Sequence, residues 1–165
     1  MNNLVIDIFN TYKNFIIFLH ILSASMLIGS MFVIIFIVRP VTKKVEDAEV
    51  KCGNCLKLLR RFNIFLVPTM FIIFSASFFM NVGMGFEYGD PTVFIVIHIK
   101  EAIWLFLVFN FIYMYKKYLN ASKAYREKDF LLTQENIILI TKYLLPLNLI
   151  VSLIAVYFGI LIKEG

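Results

Sequence analysis

Residues 14–38 read NFIIFLHILSASMLIGSMFVIIFIV, and that stretch decides the fold. It contains no charged side chain. As an α-helix its 25 residues rise about 37 Å, enough to cross roughly 30 Å of hydrocarbon with some tilt. A helix on a water-soluble core shows one apolar stripe and one polar face, whereas this one is apolar nearly all round, as a lipid-embedded rod must be. It is too long for a removable signal peptide and lacks a small-residue cleavage site, so it is expected to remain in the mature protein.

Outward from it, three further apolar runs follow, giving expected spans of about 14–38, 62–82, 91–115 and 143–162. Hydrophobic residues make up 61% of the 165 positions and charged residues only 16%, against about 25% in a typical soluble domain. The expected fold class is all-α: a single transmembrane domain over residues 1–165, built as an integral membrane four-helix bundle. The segment Asn2 to Tyr12, with Leu4, Val5, Ile8 and Phe9 on one side, suits a separate interfacial helix.

The formal charge of +5 reads as topology. Seven basic residues lie between Arg39 and Arg61, and six more lie at Lys116, Lys117, Lys123, Arg126, Lys128 and Lys142, so thirteen of the sixteen are in two connections. The connection between the second and third spans carries only Glu87 and Asp90. By the positive-inside rule both basic loops are expected in the cytoplasm, both termini outside, and the protein in the inner (cytoplasmic) membrane. Tyr113, Tyr115 and Tyr118 beside Lys116 and Lys117 fit an interfacial aromatic belt better than an RNA-binding face, so no nucleic-acid partner is expected.

Local signals refine the ends. Pro40 should stop the first span, since the residue before proline resists the helical conformation. Gly83, Gly85 and Gly89 with Asp90-Pro91 suit a tight turn, and the third helix should extend to about Lys128. Pro68 and Pro146 lie inside helical patterns, where a proline frees a carbonyl and can kink the rod.

The chain has two histidines, His20 and His98. Spans one and three run in the same direction; His20 lies seven residues past Lys13, and His98 seven past Pro91, so both sit about 10 Å inside the outer boundary. Matching depth permits a bis-histidine haem b between two helices. A structural histidine bonding across helices is the competing reading. Lys100 and Glu101 carry charge where charge is costly, by at least about 2.5 kcal/mol on insertion scales. Glu101 shares the His98 face and could orient that imidazole; Lys100 points about 200° away, near Trp104, and could meet a propionate or other anion. On helix one, Ser23, Leu27 and Ser30 continue the His20 face, with Ala24 and Gly29 beside them, small residues that let helices or a flat macrocycle approach.

Leu19-His20-Ile21, Gly29-Ser30 and Arg39-Pro40 together resemble the first helix of the CopD-like membrane proteins, and His98-Ile99-Lys100 resembles the histidine-x-lysine of their HemJ-type branch. The resemblance covers the four-helix core. It implies His20 as the haem-associated histidine and His98 with Lys100 as the helix-three pair, in a haem-b membrane oxidoreductase acting on a porphyrin with a quinone acceptor, in the manner of a protoporphyrinogen oxidase. The chain departs from the pattern in three places: Leu27 or Ile28 stands where a tryptophan is usual, Ser30 replaces the second glycine, and the tyrosine-leucine-proline-arginine run is missing.

The expected site is therefore Lys100 and Glu101 as catalytic groups, His20 and His98 as iron ligands, and Ser23 and Trp104 as cofactor contacts. A second reading is copper handling by the histidines with Met80 and Met84, soft ligands suited to Cu(I). A third is a non-catalytic membrane subunit or scaffold. Besides the lipid bilayer, a homodimer is a candidate partnership with no face singled out. Cys52-Gly53-Asn54-Cys55 falls in the first basic loop; it lacks the histidine of covalent haem attachment, and two thiols alone do not complete a zinc site. No phosphate-cradling glycine loop, serine elbow or H-E-x-x-H motif is present, and no carboxylate in span one could orient His20 as a base for Ser23.

Overall fold

The computed structural model describes residues 2–83 and 91–164, with side chains for 4–83 and 94–160. Four long rods result, each long and apolar enough to cross a membrane. The first is α1 (Asn2–Val33), which passes through a π-helical turn (Ile34–Val38) into α2 (Arg39–Lys43). Next come α3 (Ala48–Gly83) and α4 (Pro91–Arg126). The last rod is α5 (Phe130–Ile138), a second π-helical turn (Leu139–Leu144) and α6 (Leu145–Glu164). The described residues contain no strand. The all-α, four-helix membrane architecture expected from hydropathy is the one observed.

The rods exceed the expected spans at several ends. Residues 2–11 form a helix of their own, as expected, set off from the rest of α1 by a non-helical break at Tyr12 (φ −115°, ψ 19°); its Phe9 is buried against the end of α3 at Gly83. Residues 48–61 are helix rather than loop, begun by Asp47, whose Oδ1 accepts the Val50 N–H at 3.0 Å. The third helix ends at Arg126, close to expectation, and Lys128 (φ 59°) turns the chain before Asp129 caps α5 through the Leu132 N–H.

Pro40 does not terminate the first rod, and Pro146 does not break the last. Each proline directly follows a residue that closes a π-type bond, Arg39 N–H to Ile34 O and Leu145 N–H to Ile140 O. A proline lacks an N–H, and its ring presses on the carbonyl four residues back. Widening the preceding turn to an i−5 bond relieves that pressure and lets the rod continue.

α1 packs chiefly along α3, and α4 along α5 and α6. Met31, Leu59, Met114, Ile140 and Leu145 are fully buried and centre the core in the half that carries the basic connections. A smaller cluster of Phe9, Ile16 and Ala76 closes the other end. Outward, Val67 and Phe71 are each 71% exposed, which water would penalise and acyl chains do not. Met84, Gly85, Glu87, Gly89 and Asp90 lie outside the described residues.

Candidate functional site

The inner stripe of α1 runs Ile16, His20, Ser23, Leu27, Met31, steps of three and four that keep one helix face toward the bundle. On α4 the corresponding stripe is Ile97, Lys100, Trp104, Leu107, Phe111, Met114. On α6 it is Leu145, Asn148 and Ser152, with Gly159 further along. These three stripes carry a polar seam through an otherwise apolar interior.

Several observations fix its register. The His20 ring lies within electrostatic reach of Lys100 and within hydrogen-bonding reach of the Ile73 backbone. A side chain added at Gly159 would meet Lys100 Nζ at 3.6 Å, so the ammonium lies over bare α6 backbone. Deeper along α4, Asn110 Nδ2 donates to Asn148 Oδ1. From Lys100 to Asn110 is about 15 Å along the axis, and Ser152 lies between the two levels on α6. Ser23 is buried one turn beyond His20. Trp104 stacks on Phe74 of α3 with ring centroids 4.6 Å apart, closing that flank.

Four buried polar atoms have no hydrogen-bond partner: His20 Nδ1, Trp104 Nε1, Asn148 Nδ2 and Ser152 Oγ. All four belong to this seam. An unmade hydrogen bond on a buried group costs about 1–3 kcal/mol, so these four are the interior groups with most to gain from a polar partner. Trp104 and the Asn148 amide nitrogen can only donate, and Lys100 adds three donors. Three of these side chains can thus donate to oxygen acceptors, while His20 Nδ1 and Ser152 Oγ can either donate or accept.

The other expected ligand lies elsewhere. His98 is exposed on a different face of α4, its ring stacked on Phe94 at 4.2 Å and its Nδ1 2.9 Å from Phe94 O. With Phe78, Asn81 and Glu101 it lines a notch of about 190 Å³ between α3 and α4. Glu101 does share that face, but its polar partner is Asn81, whose Nδ2 donates to Oε1 at 3.4 Å. His20 and Lys100 lie within electrostatic range of each other; His98 and Glu101 share the separate notch, and no described contact links the two histidines. The bis-histidine geometry is thus not formed, because residues 98 and 100 leave the helix about 200° apart and the bundle takes Lys100 inward. The Glu101 role of orienting an iron-bound His98 falls with it.

Other candidates also find their places. A Cβ at Gly29 would meet nothing within 4 Å, so Gly29 is not a point of close approach between helices of this bundle. Ser30 donates to Leu27 O on its own helix at 2.8 Å. Met80 packs against the Phe9, Ile16 and Ala76 cluster as apolar filling. Cys52 and Cys55 sit on the first turns of α3, ahead of the apolar run expected over 62–82, facing inward as free thiols. Burial pushes the Cys55 thiol up, and burial together with its neighbour Cys55 does the same for Cys52. No group of three or more histidine, cysteine or carboxylate side chains suited to a metal occurs among the described residues.

The sequence pointed to His20, Ser23, Lys100 and Trp104 but missed Asn110, Asn148 and Ser152. The available signal was three polar residues in apolar helices at matching antiparallel register, visible once α4 and α6 are known to be neighbours. No family model, curated protein or solved structure matches this chain.

Proposed function

We propose that this chain is an integral membrane protein that binds an oxygen-bearing ligand in the seam between α1, α4 and α6, with a haem-b redox protein as its most specific form. The observation that carries the reading is the set of four buried unpartnered polar atoms spaced along the seam from the Lys100 level to Asn148. A ligand presenting carboxylate or carbonyl oxygens would satisfy the donors of Lys100, Trp104 and Asn148, and its charge would offset the ammonium in hydrocarbon.

Haem fits this site in one way only. As a bis-histidine group it does not fit, since His98 occupies another face. With one histidine, His20 would hold the iron and Lys100 would offset the charge of a propionate. When bound it would supply one-electron chemistry. The chain's own residues would set what reaches it: Trp104 and Phe74 close one flank, and the buried Leu27 and Leu107 lie between the Lys100 level and the Asn110–Asn148 pair. Oxidation of a porphyrin with transfer to a quinone is the activity suggested by resemblance, and both molecules carry the oxygen acceptors that the seam calls for.

The test is purification of the full chain from membranes in mild detergent, with an absorption spectrum and mass spectrometry of the extracted small molecules. A haem spectrum lost in His20→Ala and kept in His98→Ala supports the haem form. A carboxylate- or carbonyl-bearing molecule without haem, lost in Lys100→Leu, supports the broader reading alone. Retained copper, or a copurifying protein partner with an empty seam, would replace it with copper handling or with a scaffold role.

A further inference from the structure

A second cavity, of about 270 Å³, lies at the basic end of the bundle, where α2, α3 and the last rod meet. Four cations line it: Arg39 and Lys43 from α2, Lys51 from α3 and Lys142 from the second π turn. Its lining holds no carboxylate, and the one ion pair among the described residues, Lys123 with Glu127, lies elsewhere. Like charges gathered around one space repel one another and favour an anion between them. Its inner wall is apolar, with buried Ile34, Leu59 and Ile137, and Ile138, 48% exposed on the bundle's flank, carries that wall out to the lipid-facing surface.

A second observation is independent of charge. Both π-helical turns contribute to this cavity, through Ile34 and Val38 on one side and Thr141 and Lys142 on the other. A π turn widens the helix and redirects side chains, and such turns concentrate at functional sites. Here two proline-linked turns in different rods open the same space.

We propose that this cavity binds the phosphate headgroup of an anionic membrane amphiphile, its acyl tail leaving across Ile138. The volume accommodates a headgroup and not a whole lipid, so the tail must lie outside, and the apolar flank gives it a path. Arg39 offers a planar fork to two phosphate oxygens, while the three lysines act as point charges around it. The site is separate from the seam around Lys100 and stands whether or not that seam holds a ligand.

The test uses the full chain in neutral detergent, titrated with dioleoyl phosphatidylglycerol, dioleoyl phosphatidylcholine or inorganic phosphate while thermal unfolding is followed. Phosphatidylglycerol should stabilise and remain bound in native mass spectrometry; phosphatidylcholine should not. Each neutralised cation should weaken binding about fivefold, so Arg39→Gln with Lys142→Gln should lose about 25-fold. The control pair Lys117→Gln with Lys123→Gln, outside the cavity, should change it less than twofold. Without lipid the cavity variant should unfold no earlier than the parent, since it relieves repulsion, whereas cations serving only to hold the fold would give a lower midpoint. Should the first pair prevent folding, Lys43→Gln with Lys51→Gln addresses the same cavity. Equal effects of the two lipids, equal losses in the control pair, or stabilisation by inorganic phosphate matching that by phosphatidylglycerol would overturn the proposal, the last by showing a soluble anion to be sufficient.

Discussion

Two faces of α4, within one turn of each other, meet different fates. Lys100 and Trp104 turn into the seam with His20, Ser152 and Asn148, among buried polar atoms that lack partners. His98 and Glu101 turn to an exposed notch in which the imidazole meets its own helix and the carboxylate meets Asn81. The residue types are similar and the depth is the same. What separates them is azimuth: two residues along a helix rotate the side chain by about 200°, and neighbouring rods cover only one of the two directions. Matching depth is therefore a necessary condition for a shared ligand and not a sufficient one.

The largest test of that contrast is ligand retention. His20→Ala should abolish any bound chromophore or oxygen-bearing ligand in the purified protein, whereas His98→Ala should keep at least half, read by absorbance and by mass of the extract. Equal losses would erase the distinction between the faces.

Gly83, at the end of α3 next to the notch, gives the next effect. A methyl group there would overlap the Phe9 ring, which is buried and has little room to move. Gly83→Ala should cost about 1–3 kcal/mol, as overpacking does, and lower the thermal midpoint in detergent. An unchanged midpoint would mean that Phe9 is not held against α3.

Within the seam, Asn148→Ala removes the acceptor for Asn110. Hydrogen bonds between membrane helices contribute about 0.6–1.7 kcal/mol, and a loss in that range is expected, against almost none for Glu101→Gln on the exposed face, whose contact with Asn81 is long. Reversal of that order would place the structural polar contact on the notch side.

The smallest effect is kinetic and concerns the thiols. Burial raises both cysteine pKa values, which lowers the thiolate fraction near neutral pH. Iodoacetamide should label the native protein more slowly than the unfolded chain at pH 7.5, with the gap narrowing as pH climbs. By linkage the native thiols hold their protons longer, so their contribution to stability falls as pH rises through the unfolded value near 8.5. Native labelling as fast as unfolded labelling would show Cys52 and Cys55 to be open to water.

Much of this was legible in the sequence. Hydropathy alone fixed the number of rods, because a bilayer admits only backbones that satisfy their own hydrogen bonds. Lys100 and His20 were visible as polar exceptions in apolar runs. The prolines misled for a local reason: Pro40 reads as a stop, yet a π turn upstream absorbs its clash, and no single-residue rule encodes that accommodation. The 2–12 segment was legible as a helix separate from the first span, and the break at Tyr12 agrees; its packing partner was not, because an apolar face fits a membrane surface as well as it fits α3, and only the bare backbone of Gly83 admits the Phe9 ring.

The sequence by itself determined the solvent, the four-rod architecture and where polar residues interrupt the apolar runs, since all three follow from composition along one dimension. The tertiary structure alone decided which of those residues face one another: His20 with Lys100, Asn110 with Asn148, and four cations around a cavity at the other end. The physical reason is rotational. Hydropathy measures the cost of placing a helix in lipid, which scarcely depends on rotation about its axis, whereas close packing between helices selects one azimuth and with it the partners of every polar side chain.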